Sequence, residues 1–228
     1  MDGNPSCDIG NYIVELSQIL GRGSYGVVYL AHRKDNKQKC AVKNIVFPYD
    51  MQRSAKIEEA AKREGDILPR LNHPNIVKHY DIVIFPTSWW IFLEFCELGN
   101  LNEYLKKIKT LSFASKADLH KQCAEAVKYI HDQTITHRDL KLENYLVKMM
   151  EHKPVIKLSD FGLSKVLEET SSSSMTANRG TALYRAPEQF REENYCEKVD
   201  IFSLGLVILV ISEFGNETQD TYPQSGLF

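Results

Sequence analysis

The chain has no pair of cysteines at metal-ligand spacing. Its five cysteines, Cys7, Cys40, Cys96, Cys123 and Cys196, are odd in number, widely separated, and never arranged as CxxC or beside histidine pairs. That pattern argues against a structural zinc site and for a reducing compartment. The chain also lacks an excess of either charge: 28 Lys+Arg against 30 Asp+Glu leave a net charge of −2. Neither nucleic acid nor an anionic membrane has a general electrostatic reason to bind it, so any anion site must be local. The longest apolar run, "IFSLGLVILVI" from Ile201 to Ile211, falls well short of the roughly 20 residues that span a bilayer. It reads as a helix buried on all sides. "MDGNPSCDIG" has neither the basic flank nor the apolar core of a signal peptide. A cytoplasmic or nuclear location, without membrane or direct nucleic-acid partners, is the expectation. No internal repeat is visible.

What is present fits one large domain or two small lobes: 228 residues, 43% hydrophobic and 25% charged. From Tyr12 to about Phe95 the text is mostly strand-like. "VVYLAHR" and "KCAVKNIVF" alternate apolar and polar residues around the turn-rich "KDNKQ", which predicts an antiparallel hairpin. "AKIEEAAKREGDILPRL" places Ile57, Ala61, Glu64, Ile67 and Leu68 on one helical face. Glu64 in that apolar stripe is either a boundary residue reaching water or a positioned acid seeking a cation. After "EFCELGN" the character turns helical. Leu119, Cys123, Ala126, Val127 and Ile130 recur at helical spacing, and "EKVDIFSLGLVILVIS" forms a second, more apolar helix. Between the two lie short strands and a serine-rich stretch, 168–180, expected as a surface loop. The expected architecture is α+β: a sheet-rich lobe over residues 12–95, a hinge near Phe95 to Asn100, and a helical lobe over 96–228.

"GRGSYGVV", residues Gly21 to Val28, fits G-x-G-x-x-G-x-V. A dinucleotide-binding loop would lead into a helix, whereas "VVYLAHR" continues as a strand. The context therefore predicts a flap between two strands, where absent side chains let backbone N–H groups approach phosphate oxygens. "CAVK" follows on the next strand and ends in Lys43, which could reach the same phosphates, with Glu64 as the acid holding its ammonium. Further along, "HRDLKLEN" from His137 to Asn144 crowds unlike charges beside an apolar strand. A solvated surface run is the ordinary meaning of such text.

"GRGSYGVV", "AVK", "HRDLKLEN", "DFG" and "APE" occur in the order and approximate spacing of the eukaryotic protein kinase family, and the chain resembles that family from about residue 12 to about residue 212. The resemblance implies a bilobal kinase-like fold and a serine/threonine kinase using ATP and Mg²⁺ on protein hydroxyls. It assigns Gly21, Arg22, Gly23, Ser24, Tyr25 and Gly26 to the flap, and Lys43 and Glu64 to the phosphate-facing pair. Asp139 matches the residue that orients the acceptor hydroxyl and takes its proton. Lys141 would place positive charge near the transferring phosphoryl group, and Asn144 and Asp160 would coordinate magnesium. By similarity, Glu94 and Cys96 present backbone groups to the adenine edge, with Leu93 at the back of the pocket. Asn100 meets the ribose, and Val28, Ala41 and Leu146 enclose the base.

Lys141 and Thr181 match residues typical of serine/threonine-specific members. Arg138 beside Asp139 implies control by phosphate on the activation segment, with Ser174 and Thr176 among the candidate sites. Asp200 should hydrogen-bond the backbone around His137 and Arg138. His79, where the family packs an apolar residue behind the helix of Glu64, reads as a satisfied core histidine. Family members continue through several more helices after the one matching "EKVDIFSLGLVILVI". The resemblance thus implies a catalytic region shortened at its C-terminal end, in which Leu206, Ile208, Leu209 and Ile211 lose part of their cover. The competing class is a catalytically weak or inactive kinase-like binding module.

Overall fold

The computed structural model describes residues 5–23, 26–47, 57–58, 61–62, 65–161, 183–190 and 197–215. Six strands form one antiparallel sheet in the order β1-β2-β3-β4-β6-β5. They are β1 (Ser6–Ile9), β2 (Tyr12–Gly23), β3 (Gly26–Arg33), β4 (Lys39–Val46), β5 (His79–Phe85) and β6 (Ser88–Glu94). The sheet thus also takes in Ser6–Ile9, upstream of Tyr12. The hairpin predicted from "VVYLAHR" and "KCAVKNIVF" is the β3–β4 pair, with Val28 opposite Lys43 and Leu30 opposite Ala41.

Period-two alternation divides the sheet's two faces. Tyr12, Val14, Ala31, Cys40, Val42 and Phe92 are buried together on one face, where the Tyr12 and Phe92 rings stack with centroids 3.7 Å apart. The intervening positions of β4 and β6 face the other way. There Ile45, Trp89 and Ile91 join Ile57, Ala61 and Leu68 in the main core. Alternation along β4 places Ala41 and Lys43 on this second face, turned toward the helical part of the chain.

The helical part begins with α1 (Leu101–Lys107) and α2 (Phe113–Asp132). Asn100 and Ser112 cap them by accepting the Glu103 and Ser115 amides at 2.9 and 3.1 Å, which satisfies donors that a helix start leaves open. α2 buries Leu119, Cys123, Ala126, Val127 and Ile130, the stripe read from the sequence. A two-stranded ribbon follows, β7 (Tyr145–Met150) paired antiparallel with β8 (Lys153–Leu158). It packs on α2, as does the last helix, α3 (Lys198–Glu213).

α3 corrects the expectation of a helix buried all round. Val199, Asp200, Ser203, Leu204, Val207 and Ile211 form its buried stripe, while Ile201 and Leu209 are 52% and 53% exposed and Phe202 is also exposed. Uniformly apolar composition hides the stripe, because the sequence cannot say which side meets α2. Ile211 keeps its cover, unlike Leu209. His79 is also a correction. It lies on β5 with Nε2 buried and, among the described residues, without a hydrogen-bond partner. Its ring is therefore only partly satisfied, and burial lowers its pKa. Among the described residues no helix is long and apolar enough to cross a membrane.

Candidate active site

The segment between α2 and β7 carries His137, Arg138, Asp139, Lys141 and Asn144. It is held from the far side by Asp200, in the first turn of α3 and fully buried. Asp200 Oδ2 accepts the His137 amide and Oδ1 the Arg138 amide, both at 2.7 Å, as the sequence led us to expect. Oδ2 also lies 2.9 Å from His131 Nε2 at the end of α2. Arg138 sits at φ 69°, a left-handed conformation costing a non-glycine residue about 1–3 kcal/mol. Charge-assisted hydrogen bonds to a buried carboxylate offset that cost.

His137 links this loop to the segment after β8. Its Nδ1 accepts the Asp139 amide at 3.4 Å, which puts the ring proton on Nε2. That N–H donates to the Ser159 carbonyl at 2.8 Å, and the ring packs edge-on against Phe161 at 5.3 Å. Ser159 in turn donates from N and Oγ to the Asn144 carbonyl at 2.9 and 3.0 Å. Asp160 is therefore set beside Asn144 by backbone bonds.

Asp139 Oδ2 accepts from Lys141 Nζ at 2.7 Å and from Asn144 Nδ2 at 3.1 Å. Asn144 Nδ2 also reaches the Asp139 carbonyl at 2.7 Å. Lys43 reaches this cluster from the sheet: its Nζ stands 2.5 Å from Asp160 Oδ1, across 117 positions of sequence. The Lys43 charge holds the Asp160 carboxyl below its ordinary range against the opposing cost of partial desolvation, and the His137 and Lys141 charges also lower it. One electrostatic neighbourhood thus contains Lys43, Asp139, Lys141, Asn144 and Asp160. Among the described residues, no group of three or more His, Cys, Asp or Glu side chains is placed to hold a metal. Asp160 and Asn144 offer two oxygen donors, which fits a magnesium ion held mainly by phosphates and water.

The connection from β6 to α1 lies alongside. Its backbone is stitched to β7 by Leu98 N–H to the Val147 carbonyl at 3.1 Å and Val147 N–H to the Gly99 carbonyl at 2.8 Å. Leu146 forms a bridge with Asn100. Asn100, expected to meet a ribose, has its side-chain oxygen on the α1 cap. Cys96 is buried, and burial pushes its thiol up to about 12, so it stays protonated. Ala41 pairs with Leu93, and Val28 shares the face of Lys43 by alternation with Tyr29 and Ala31. β2 and β3 pair up to Gly23 opposite Gly26, so the glycine-rich stretch is the expected flap between strands. Its glycines have different reasons: a Cβ on Gly26 would run into the Asn44 carbonyl oxygen, whereas one on Gly21 would meet open space.

The protein kinase domain family matches residues 14–221. The chain belongs to the protein kinase family. Myosin light chain kinase A of Dictyostelium discoideum is 35% identical over 199 residues, covering 87% of this chain and 66% of that protein. The ovarian-specific serine/threonine-protein kinase Lok of Drosophila melanogaster is 36% identical over 220 residues, 91% of this chain and 46% of that protein. Serine/threonine protein kinase OSK3 of Oryza sativa subsp. indica is 32% identical over 217 residues, 92% and 41% respectively. The chain spans 41% to 66% of the length of these three curated relatives.

Within this kinase domain, Ser24, Tyr25, Glu64, Ser174, Thr176, Thr181 and the 168–180 stretch lie outside the described residues. Sequence reasoning missed two groups that support the site. His131 falls four residues after Val127 on the buried stripe of α2, a spacing that could have flagged it. Glu94 was noted only for its backbone, yet its carboxylate is buried between Lys148 Nζ at 2.7 Å and Lys157 Nζ at 3.1 Å. Desolvation works to raise its carboxyl, but the Lys148 hydrogen bond and the Lys157 charge keep it below the usual value.

Proposed function

We propose that this kinase domain transfers the γ-phosphate of Mg-ATP to serine or threonine hydroxyls of protein substrates. The observation that carries the reading is the meeting of Lys43 with Asp160 at 2.5 Å, beside the hydrogen-bonded set of Asp139, Lys141 and Asn144. Phosphoryl transfer asks a protein mainly for positioning and charge, with little covalent work. Bound Mg-ATP supplies the transferable phosphoryl group and the divalent charge. Lys43 binds phosphate oxygens; Asp160 and Asn144 hold magnesium. Asp139 orients the acceptor hydroxyl and takes its proton, while Lys141 places positive charge near the transferring group and fixes the Asp139 carboxylate. The backbone at Glu94 and Cys96 faces the adenine edge, and Val28, Ala41 and Leu146 enclose the base. The serine/threonine preference is supported by Lys141 and by the similarity to the serine/threonine-protein kinases Lok and OSK3.

Transfer of labelled phosphate to a generic serine/threonine substrate tests the proposal, with Asp160→Ala as the comparison. The native chain should label the substrate and the variant should not. Equal signal from both would eliminate intrinsic catalysis and leave the chain a kinase-like binding module.

A further inference from the structure

A second polar site lies apart from the cluster around Lys43 and Asp160. A cavity of about 150 Å³ is lined by His73, Lys78, Glu94 and Lys157, with Asn72 and Pro74 among the residues at its wall. None of these side chains belongs to the proposed catalytic set, and Glu94 enters the proposed nucleotide site through its backbone alone. We propose that this cavity is a binding site for a tetrahedral oxyanion of the phosphate class.

The first reason is charge. Lys148 and Lys157 share the single carboxylate of Glu94, so the three carry one excess positive charge, with Lys157 and Glu94 buried and Lys148 partly open to solvent. Lys157 and Glu94 are each 7% exposed, and water screens them little. Lys78 adds a further cation at the exposed side of the cavity, and its own amide donates to Glu94 Oε2 at 3.3 Å. Three ammonium groups around one carboxylate leave this region locally positive, which favours an incoming anion.

The second reason is donor capacity. An ammonium carries three N–H donors, and the described partner of Lys157 is one oxygen, Glu94 Oε2 at 3.1 Å. His73 Nδ1 accepts the Asn75 amide at 3.1 Å, leaving the ring proton on Nε2 as a donor. The ring is fixed by stacking on Tyr129, centroids 4.7 Å apart. Donors thus line the cavity from the 71–78 segment and from β8, and a tetrahedral anion offers acceptors in as many directions. Lysines bind such groups as point charges. The volume suits the ligand class: it equals about five water molecules, enough for one phosphate group and too little for a nucleotide.

The site is independent of the transfer chemistry and is tested on the full chain. The probe is inorganic phosphate against chloride at equal ionic strength, read by the thermal midpoint and by calorimetric titration. Phosphate should raise the midpoint saturably. Lys157→Met and Lys78→Ala should each weaken the phosphate affinity about tenfold, the effect of losing one charge-assisted hydrogen bond. Lys78 is exposed, so its variant keeps the test valid even if Lys157→Met fails to fold. Lys43→Met should leave the phosphate effect intact, which separates this cavity from the catalytic cleft. O-phosphoserine replaces inorganic phosphate in a second arm: binding at least as tight assigns the site to a phosphorylated side chain, and weaker binding assigns it to a free anion. An unchanged phosphate response in Lys78→Ala, or its loss in Lys43→Met, would overturn the proposal.

Discussion

Replacing Asp200 by asparagine should loosen the loop that carries Asp139 while leaving the shape of the side chain almost unchanged. The buried carboxylate uses one oxygen for the Arg138 amide and the other for the His137 amide and His131. Asparagine retains a single carbonyl oxygen, so one of the two loop amides then faces an NH₂ group. Hydrogen bonds to charged groups contribute about 1.5–3 kcal/mol, and a buried donor left unpaired carries a penalty of similar size. We expect a loss of about 3 kcal/mol, or a melting temperature lower by about 6–12 °C for a domain of this size. The left-handed turn at Arg138 loses its support, and a shift of about 1 Å in Asp139 would lower kcat about a hundredfold. Urea denaturation measures the first quantity and substrate phosphorylation the second. Asp132→Asn, which removes an exposed i,i+4 partner of Lys128, is the control and should stay within about 0.5 kcal/mol. If Asp200→Asn resembles that control in stability and keeps kcat within about threefold, the anchoring argument is wrong.

Gly26→Ala should destabilise the sheet by about 1–3 kcal/mol in chemical denaturation, because the added methyl meets β4 backbone. Gly21→Ala, with open space around it, should leave stability nearly unchanged and appear as a raised KM for ATP. Glu94→Gln leaves Lys148 and Lys157 without their shared counter-charge and should cost about 3–5 kcal/mol; a loss below about 1 kcal/mol in urea titration would equate it with a surface pair. Burial lowers the folded-state pKa of His79 below the ordinary imidazole value of about 6.5, so the unfolded chain takes up the extra proton. The associated stability is complete above pH 6.5 and is lost as pH falls through the folded value. His79→Leu should flatten the stability profile in that window, and a profile parallel to the native one would refute the assignment.

Local patterns carried much of this fold. The β3–β4 hairpin, the flap ending in Gly23 and Gly26, and the buried stripe of α2 all follow from spacing a few residues long. Asp200 was legible only through the family resemblance, because its partners lie 62 and 63 positions away. What stayed hidden depends on tertiary burial. Lys157 stands between Ile156 and Leu158, and simple alternation would turn it to solvent, yet all three are buried. Its partner Glu94 comes from a different sheet, and no local rule pairs them. The exposed side of α3 was hidden for the converse reason: with apolar residues on every side, periodicity selects no direction. Asn100 reads in the sequence only as a ligand contact implied by the resemblance, and its oxygen's place on the α1 cap shows in the backbone geometry at the helix start.

The ion pair of Lys43 and Asp160 works as an electrostatic latch with a selective key. Under the proposed chemistry, each half already holds an opposite charge at 2.5 Å, so an incoming ligand must exchange partners with it. A triphosphate bearing its metal presents negative charge to the lysine and positive charge to the aspartate at once. A bare triphosphate would have to draw Lys43 away from Asp160 without offering that carboxylate a replacement, and a lone cation faces the reverse mismatch. The latch therefore favours the intact metal–nucleotide complex over either component alone, a discrimination built from two side chains before any contact with the base.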